Sequence, residues 1–266
     1  QTTAQEWNLK GNVKSIHESL YDYVDNNGQM EKGNLITGAS PLYEFDQAGN
    51  LISKTEYSDD KSPEIWKTKY SKPGLMTEEA LYNSKGKLLR KAVYGYDQND
   101  IRIKFVYYDS LGKISEHYTV EHKVIDENKY VDIRDDYDGK EKCTVIDTFV
   151  YFNNTRLKYR TTAFKDYFSK TQYFYDRGGH MIRYIIENEK GIRSHSDLTY
   201  DSQGNIIKKI HGESYTNPDI KSIPDPDSVA TYEYTYDAQG NWTKKITLDS
   251  SSDFLNSIIE RTITYY

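Results

Sequence analysis

Acidic side chains are the most numerous groups in this sequence that could do chemistry. The 266-residue chain contains 41 Asp and Glu residues, and a pair of carboxylates can carry general acid–base catalysis where the two meet in a cleft. The acids are spread along the whole chain, so spacing singles out no pair. The sequence has no Gly-rich phosphate loop, nucleophile elbow or HExxH motif. A hydrolase with acids gathered in the concavity of a sheet therefore stays open only as a general hypothesis.

Metal ligands show no useful pattern. His117 and His122 lie five residues apart, which on a strand puts them on opposite faces. The acidic segment 135–141 (DDYDGKE) does not fit an EF-hand, because a Gly139 at the sixth loop position would put Arg134 in the first, ligating position. No Cys/His cluster has zinc spacing. We predict no catalytic residue, no metal site and no cofactor.

Aromatic residues are the remaining candidates, since the chain has 26 Tyr and 3 Trp. Exposed Tyr and Trp rings can stack on sugars or anchor a protein partner. Trp66 and Trp242 are the first candidates for such a binding face. The structural alternative is that cross-strand aromatic ladders hold a sheet together, at about 0.2–1 kcal/mol per pair. The sequence favours the structural role for most of the tyrosines.

Six segments share one local motif, in which an aromatic or aliphatic residue precedes Asp or Asn, two variable residues and Gly. Asp at the first position and Gly at the fourth are typical of a type I turn, and Gly there supplies the left-handed residue that closes a hairpin with a bulge. We predict that the first-position residues form turns and are not catalytic. The segments are Tyr43–Tyr57, Tyr82–Tyr94, Tyr108–Val120, Tyr173–Glu187, Leu198–Gly212 and Tyr234–Leu248, with Asp46, Asn83, Asp109, Asp176, Asp201 and Asp237 at the first turn position.

The flanks of each motif alternate as strands do. Even offsets from the Gly carry aromatic or aliphatic side chains, odd offsets are more often polar, and Lys recurs at the fifth position as Lys54, Lys91, Lys209 and Lys245. Such alternation predicts strands with one buried face and one wetter face. Turn signals recur at regular spacing and predict about fifteen to eighteen strands of ordinary length.

The predicted fold is all-β, a long antiparallel meander of YD-type hairpin repeats. Open twisted sheets rarely exceed about ten strands, so we expect the meander to curl into a spiral, a half-shell or a partial barrel. A β-propeller is the alternative, although no repeat of blade length is visible in the sequence.

The expected organisation is one β-repeat domain over residues 13–266, with a poorly ordered segment at 1–12. Three prolines and several acids predict a long exposed loop at 212–229, and Ser252–Ile259 could form a short helical turn. Cys143 is the single cysteine, so it has no internal disulfide partner and is expected to pack as a small apolar residue.

Charge and hydropathy exclude two classes of partner. The formal net charge is −6 with both signs interspersed, so the chain has no basic field for nucleic acid. No apolar run approaches membrane-spanning length. We therefore expect no nucleic-acid partner and no membrane span.

Two stretches carry a family resemblance. YDSQGNIIKK from Tyr200 and YTYDAQGNWTKK from Tyr234 resemble the YD, or RHS-type, repeats of bacterial cell-surface and secreted proteins. LKGNVKSIHESLYDY from Leu9 looks like the start of uncharacterised exported proteins of gut Bacteroidetes. The resemblance covers most of the chain from about Val13 and implies a coiled sheet. Together with the absence of an initiator Met, it implies an exported location, in the periplasm, at the outer surface or secreted.

Three function hypotheses follow. The leading one is a non-enzymatic exported repeat protein that acts as a scaffold or binding surface for an unknown protein or glycan. The second is a carbohydrate-binding module that uses exposed Tyr and Trp. The third is the hydrolase mentioned above.

Overall fold

The chain is all-β and antiparallel, as the alternation predicted. The computed structural model describes residues 3–26, 29–36, 38, 40–58, 61–137, 142–152, 156–165, 167–215, 228–251 and 256–266. Nineteen strands are described, slightly more than the expected fifteen to eighteen. They are β1 (Val13–Asn26), β2 (Gln29–Leu35), β3 (Leu42–Phe45), β4 (Leu51–Ser58), β5 (Lys61–Lys72), β6 (Leu75–Tyr82), β7 (Leu88–Tyr96), β8 (Arg102–Asp109), β9 (Ile114–Asp126), β10 (Lys129–Tyr137), β11 (Lys142–Phe152), β12 (Arg156–Phe164), β13 (Tyr167–Tyr175), β14 (Met181–Asn188), β15 (Ile192–Tyr200), β16 (Ile206–Tyr215), β17 (Ser228–Tyr236), β18 (Trp242–Asp249) and β19 (Ser257–Tyr265).

The predicted turns are confirmed. At Asp201 the carboxylate accepts hydrogen bonds from the backbone N–H groups of Gln203 and Asn205 at 2.9 and 2.8 Å, and Gly204 has a φ of 83°. In each of the other copies the first-position side chain accepts a hydrogen bond from the backbone N–H four residues on, so these residues are turn formers. Their glycines, Gly49, Gly86, Gly112, Gly179 and Gly240, all have positive φ.

Each described hairpin ladder of this type also has a register shift immediately after the turn. Phe45 lies opposite Leu51, but the next pairs are Glu44 with Ser53 and Tyr43 with Lys54. One residue is therefore left over on the second strand, as in a β-bulge. The ladders β6–β7, β7–β8, β13–β14 and β15–β16 shift at the corresponding position.

The bulge changes which side chains share a face. Simple alternation would put the fifth-position lysines on the wetter face, opposite the aromatic residues of the preceding strand. Instead, Lys54 lies directly opposite Tyr43 and Lys209 directly opposite the buried Leu198. Directly opposite residues point to the same face, so these lysines share a face with the apolar side chains.

The chain divides into two compact units. The first comprises Gln1–Ser115, Tyr232–Leu248 and Ser252–Tyr266, and the second Glu116–Thr231 and Asp249–Ser251. In the first unit β19 pairs with β18 and β1, β1 pairs with β3, and β3 to β8 follow in chain order, while β2 pairs with β1. In the second unit β9 to β16 pair in chain order and β16 pairs with the start of β17.

The pairing of β1 with β19 corrects the expected curvature. A spiral, half-shell or partial barrel would leave the first and last long strands at separate edges, whereas here nine residue pairs join them, from Val13–Tyr265 to Asp22–Ser257. Both β1 and β19 are therefore paired on two sides, which leaves neither strand with a row of backbone groups without partners. Within each unit the strands pair in one continuous order well beyond four strands, so the β-propeller alternative, with its separate blades, is wrong as well.

Residues 3–12, within the segment that the sequence analysis set apart at 1–12, make contacts within the first unit. Thr3 forms a bridge with Asn50, and the N–H of Ala4 donates to the carbonyl of Gly49 at 2.7 Å. Trp7 packs against the buried cluster of Val13, Ile16 and Phe45. These three core residues need apolar cover, and the indole provides it.

The loop expected at 212–229 and the helical turn expected at Ser252–Ile259 both overlap the ends of described strands. Residues 212–215 and 228–229 of the expected loop belong to β16 and β17, and its remainder, 216–227, lies outside the described residues. Ser257–Ile259 begin β19 and are not helical, while residues 252–255 lie outside the described part, as do 138–141 of the acidic segment and the side chain of Cys143. Within the described ranges, no helical segment is long and apolar enough to cross a membrane.

Gly112 offers a clean test of the turn chemistry. A side chain added there would meet nothing within 4 Å, and the residue has a φ of 79°. We expect Gly112→Val to lower the free energy of unfolding by about 1–3 kcal/mol through backbone strain alone. Gly112→Asn is the control and should cost less, since Asn tolerates this region. Urea unfolding measures both, and equal stability of the Val variant and wild type would contradict the turn assignment.

Candidate functional site

The first unit presents an aromatic face, defined by Tyr43, Lys54, Trp66, Leu81 and Arg90. These five residues lie directly opposite one another across β3, β4, β5, β6 and β7, so their side chains project to the same side of the sheet. Cations and rings alternate along this row. The ammonium of Lys54 lies 5.8 Å from the ring centroid of Tyr43, and the guanidinium of Arg90 lies 4.7 Å from that of Trp66.

A pocket of about 250 Å³ opens beside Trp66. It combines one indole with a lysine, two carboxylates and two hydroxyl groups, and Leu51 adds apolar surface. The pocket is formed by β4, β5 and β6, which are consecutive strands of the first unit. Its lining residues are Leu51, Ser53, Lys54, Glu56, Trp66, Thr68 and Glu79.

Trp66 is held in place from two directions. Its Nε1 donates a hydrogen bond to Oε2 of Glu56 at 3.3 Å, and the other carboxylate oxygen of Glu56 accepts the ammonium of Lys54. Arg90 contacts the ring itself. The indole is therefore positioned by a bridge from Lys54 through Glu56, and this orientation does not depend on packing alone.

The two carboxylates of the pocket titrate differently. The hydrogen bond from Lys54 lowers the pKa of Glu56, with a further contribution from Trp66 that is smaller than the opposing effect of burial. Burial raises the pKa of Glu79, and the hydroxyl of Tyr94, 3.5 Å away, only partly offsets this. One side of the pocket thus carries a firmly ionised carboxylate and the other a carboxyl group that is easier to protonate.

Trp242, the second predicted ligand residue, lies elsewhere on the aromatic side of the first unit. The guanidinium of Arg261 sits 3.3 Å from its ring centroid, and the ring of Tyr234 lies 6.0 Å away. Trp242 does not line the pocket of Trp66. The structure therefore does not bring the two candidate tryptophans together in one site, and the face of Trp242 is covered by a cation.

Sequence reasoning missed Glu56 and Glu79. Neither lies in the turn motif, and each is one acid among many on a strand. A signal was nevertheless present, because a shift of register by one residue after Gly49 puts Lys54 and Glu56 on the face of Tyr43. The motif itself gives the bulge that causes this shift.

The second unit contains polar networks with a structural role. Asp147, which is buried, accepts hydrogen bonds from Arg160 at 2.9 and 3.1 Å and from Thr162 at 2.6 Å. His122 and Asp132 lie 2.6 Å apart on neighbouring strands. Among the described residues, no group of three or more His, Cys, Asp or Glu side chains could hold a metal ion.

Comparisons with known proteins add little to this geometry. No protein-family model matches the chain, and no curated protein matches it. Among solved structures, the chain is similar to a porin-like protein from Bacteroides uniformis, with 14% identity, 99% of each chain covered and a TM-score of 0.45. These comparisons do not support the YD or RHS repeat type. The fold and site described above rest on the chain's own hydrogen bonds and contacts.

The two glutamates predict opposite pH dependences. The pKa of Glu79 is raised in the folded state, so the folded protein holds this proton to a higher pH than the unfolded chain does. Ionisation of Glu79 therefore lowers the free energy of unfolding as the pH rises. Glu56 has a lowered pKa, so it adds stability above its unfolded pKa, and this is lost as pH falls. Relative to wild type, Glu79→Gln should gain stability between about pH 4 and pH 7, and Glu56→Gln should lose it.

Urea unfolding at both pH values measures this difference. The variants are matched controls for each other, because each replaces one pocket glutamate by its isosteric amide. Parallel pH profiles for the two variants would contradict the assigned environments.

Proposed function

We propose that this protein is a non-enzymatic, exported binding protein, and that the pocket beside Trp66 takes a neutral, polyhydroxylated ligand of the saccharide class. One observation carries the proposal: an indole held at a fixed angle in an open pocket whose remaining walls are hydrogen-bonding side chains. An indole face packs on the C–H face of a sugar ring. The exported location belongs to the same proposal and is supported by the N-terminal resemblance.

The polar groups suit hydroxyl recognition better than charge recognition. Glu56 is already neutralised by Lys54, so the pocket offers no unbalanced charge at that end. Carboxylates accept hydrogen bonds from hydroxyl groups, and Lys and Ser donate them. A ligand with several neighbouring hydroxyl groups can use all of these partners at once, whereas a purely apolar ligand would leave them buried and unpaired.

Hydrolysis is the second candidate, favoured by the opposite pKa directions of Glu56 and Glu79. The ladder argues against it. Glu56 lies opposite Glu64 and Glu79 opposite Thr68, so the two α-carbons are two strand spacings and four residues apart, about 16 Å. Both oxygens of Glu56 are also engaged, one by Lys54 and the other by Trp66, whereas a glycoside hydrolase needs two available carboxyl groups ~5–9.5 Å apart. Binding without turnover fits this spacing better.

The scaffold hypothesis is supported elsewhere in the chain. In the second unit Tyr130 stacks on Phe149 at 4.7 Å and shares a hydroxyl–hydroxyl hydrogen bond of 2.7 Å with Tyr151. Burial, and then the hydrogen bond with Tyr151, raise the pKa of the Tyr130 hydroxyl group. Rings engaged in this way stabilise the sheet and have no free face for a ligand. We therefore assign binding to the Trp66 pocket and a structural role to these tyrosines.

Glycan-array screening followed by titration calorimetry tests the proposal. We expect wild type to bind a neutral oligosaccharide and Trp66→Ala to bind it at least about tenfold more weakly, since loss of a central aromatic typically costs 2 kcal/mol or more. The bound sugar should be recovered uncleaved.

Tyr57→Ala is the matched control, because Tyr57 is an exposed aromatic residue of β4 that does not line the pocket. It should bind like wild type. Glycan binding that survives Trp66→Ala, or that is lost equally in Tyr57→Ala, would refute the assigned site, and release of cleaved product would establish the hydrolase instead.

A further inference from the structure

A second cluster on the aromatic side of the first unit surrounds the guanidinium of Arg261. Its side chain is only 7% exposed. Nε and Nη2 both donate to Oε1 of Glu18 at 2.8 Å, and the plane of the group lies against Trp242. The Nε/Nη2 edge of the guanidinium is thus occupied by Glu18 and one of its faces by an indole.

The Nη1 group of this guanidinium has no hydrogen-bond partner in the described part of the chain. Nη1 of Arg261 is buried and makes no hydrogen bond with any described residue, and the same is true of Nε1 of Trp7. The two groups are neighbours, since the guanidinium carbon lies 5.7 Å from the ring centroid of Trp7. A buried donor without an acceptor is costly. Two such donors on neighbouring side chains are each without an acceptor in the described part of the chain.

Lys245 adds a second cation to the cluster. It lies opposite Ile259, so it shares a face with Arg261, at the diagonal separation of about 7–8 Å. Burial lowers the pKa of Lys245, and the positive charge of Arg261 lowers it further. Glu18 is the carboxylate that interacts with both cations. Among the described residues, these two cations therefore share one carboxylate in a largely buried setting, so the cluster carries an excess positive charge.

We propose that this cluster binds a carboxylate group, with Arg261 Nη1 and Trp7 Nε1 donating to its oxygens and the Lys245 ammonium balancing its charge. A carboxylate supplies the missing negative charge and has two oxygens for two donors. A water molecule could accept from the donors but would leave the charge unbalanced. The site goes beyond the saccharide pocket of Trp66, since it recognises charge with a different set of residues.

Titration calorimetry with acetate tests the site, with acetamide at the same ionic strength as the neutral isostere. We expect wild type to bind acetate and not acetamide. Lys245→Gln should weaken acetate binding by about tenfold or more, as expected for loss of a charged partner. Trp7→Phe keeps the ring, removes only the N–H donor and should weaken binding by roughly fivefold. Circular dichroism would establish that both variants are folded.

Lys244→Gln is the matched control. Lys244 is the next residue of β18, but it lies opposite Glu260 and so projects from the other face of the sheet. It should bind acetate like wild type. A glucuronate arm distinguishes the source of the carboxylate, because tighter binding than acetate points to a sugar acid and equal binding to a free carboxylate.

The proposal is overturned if wild type fails to bind acetate, if acetamide binds equally well, or if Lys244→Gln loses as much affinity as Lys245→Gln. None of these results bears on the pocket of Trp66, which is tested with neutral sugars and different variants.

Discussion

The single bulged residue after each turn is the constraint on which the rest of this structure depends. A turn of the Asp-x-x-Gly type forces one glycine into the left-handed region and leaves one extra residue on the second strand. That residue reverses the alternation of side chains beyond it. Counted from the turn glycine, odd positions of the second strand therefore share a face with even positions of the first strand. In the hairpin of Gly49 this puts Lys54 beside Tyr43, and an ordinary hairpin would have put Ser53 there. Repeated along the meander, the device brings cations onto a face made of aromatic rings.

A face of this composition has consequences for both stability and binding. Rings and cations attract each other most strongly where water is excluded, and the sheet can therefore use Tyr, Lys and Arg where other proteins use Leu and Val. The same side chains keep polar groups within reach of a ligand. In the first unit, Glu56 and Lys54 orient the indole of Trp66 in a pocket. In a separate cluster, Arg261 and Trp7 each have a buried N–H donor without an acceptor among the described residues. Tyr43 lies between the pocket and the cluster, since it is directly opposite Lys54 and its ring lies 4.5 Å from that of Trp7. Burial is the main cause that raises the pKa of Tyr43 to about 12.

The sequence predicted the local elements well and the long-range ones poorly. The turn positions, the antiparallel strands and the structural role of the motif acids could be predicted because each depends on a few neighbouring residues, as at Asp201 and Gly204. The pairing of β1 with β19 could not, since it joins residues about 250 apart and has no local signal. Trp66, one of the two predicted ligand-binding residues, lines a pocket, and the positions of Glu56 and Glu79 beside it depend on registers set by the bulges. Trp242 was chosen for its residue type, and the cation that covers it comes from a distant strand.

Cross-strand cysteine pairing tests the bulge most directly. In a Cys143→Ser background, we would compare Tyr43→Cys/Lys54→Cys with Tyr43→Cys/Ser53→Cys, so that both proteins lose the same tyrosine. Directly opposite side chains on one face are close enough for a disulfide, and side chains on opposite faces are not. Mild oxidation should form the disulfide between positions 43 and 54 and leave the 43/53 pair reduced. A disulfide that forms between 43 and 53, and not between 43 and 54, would show an unbulged ladder and contradict the account.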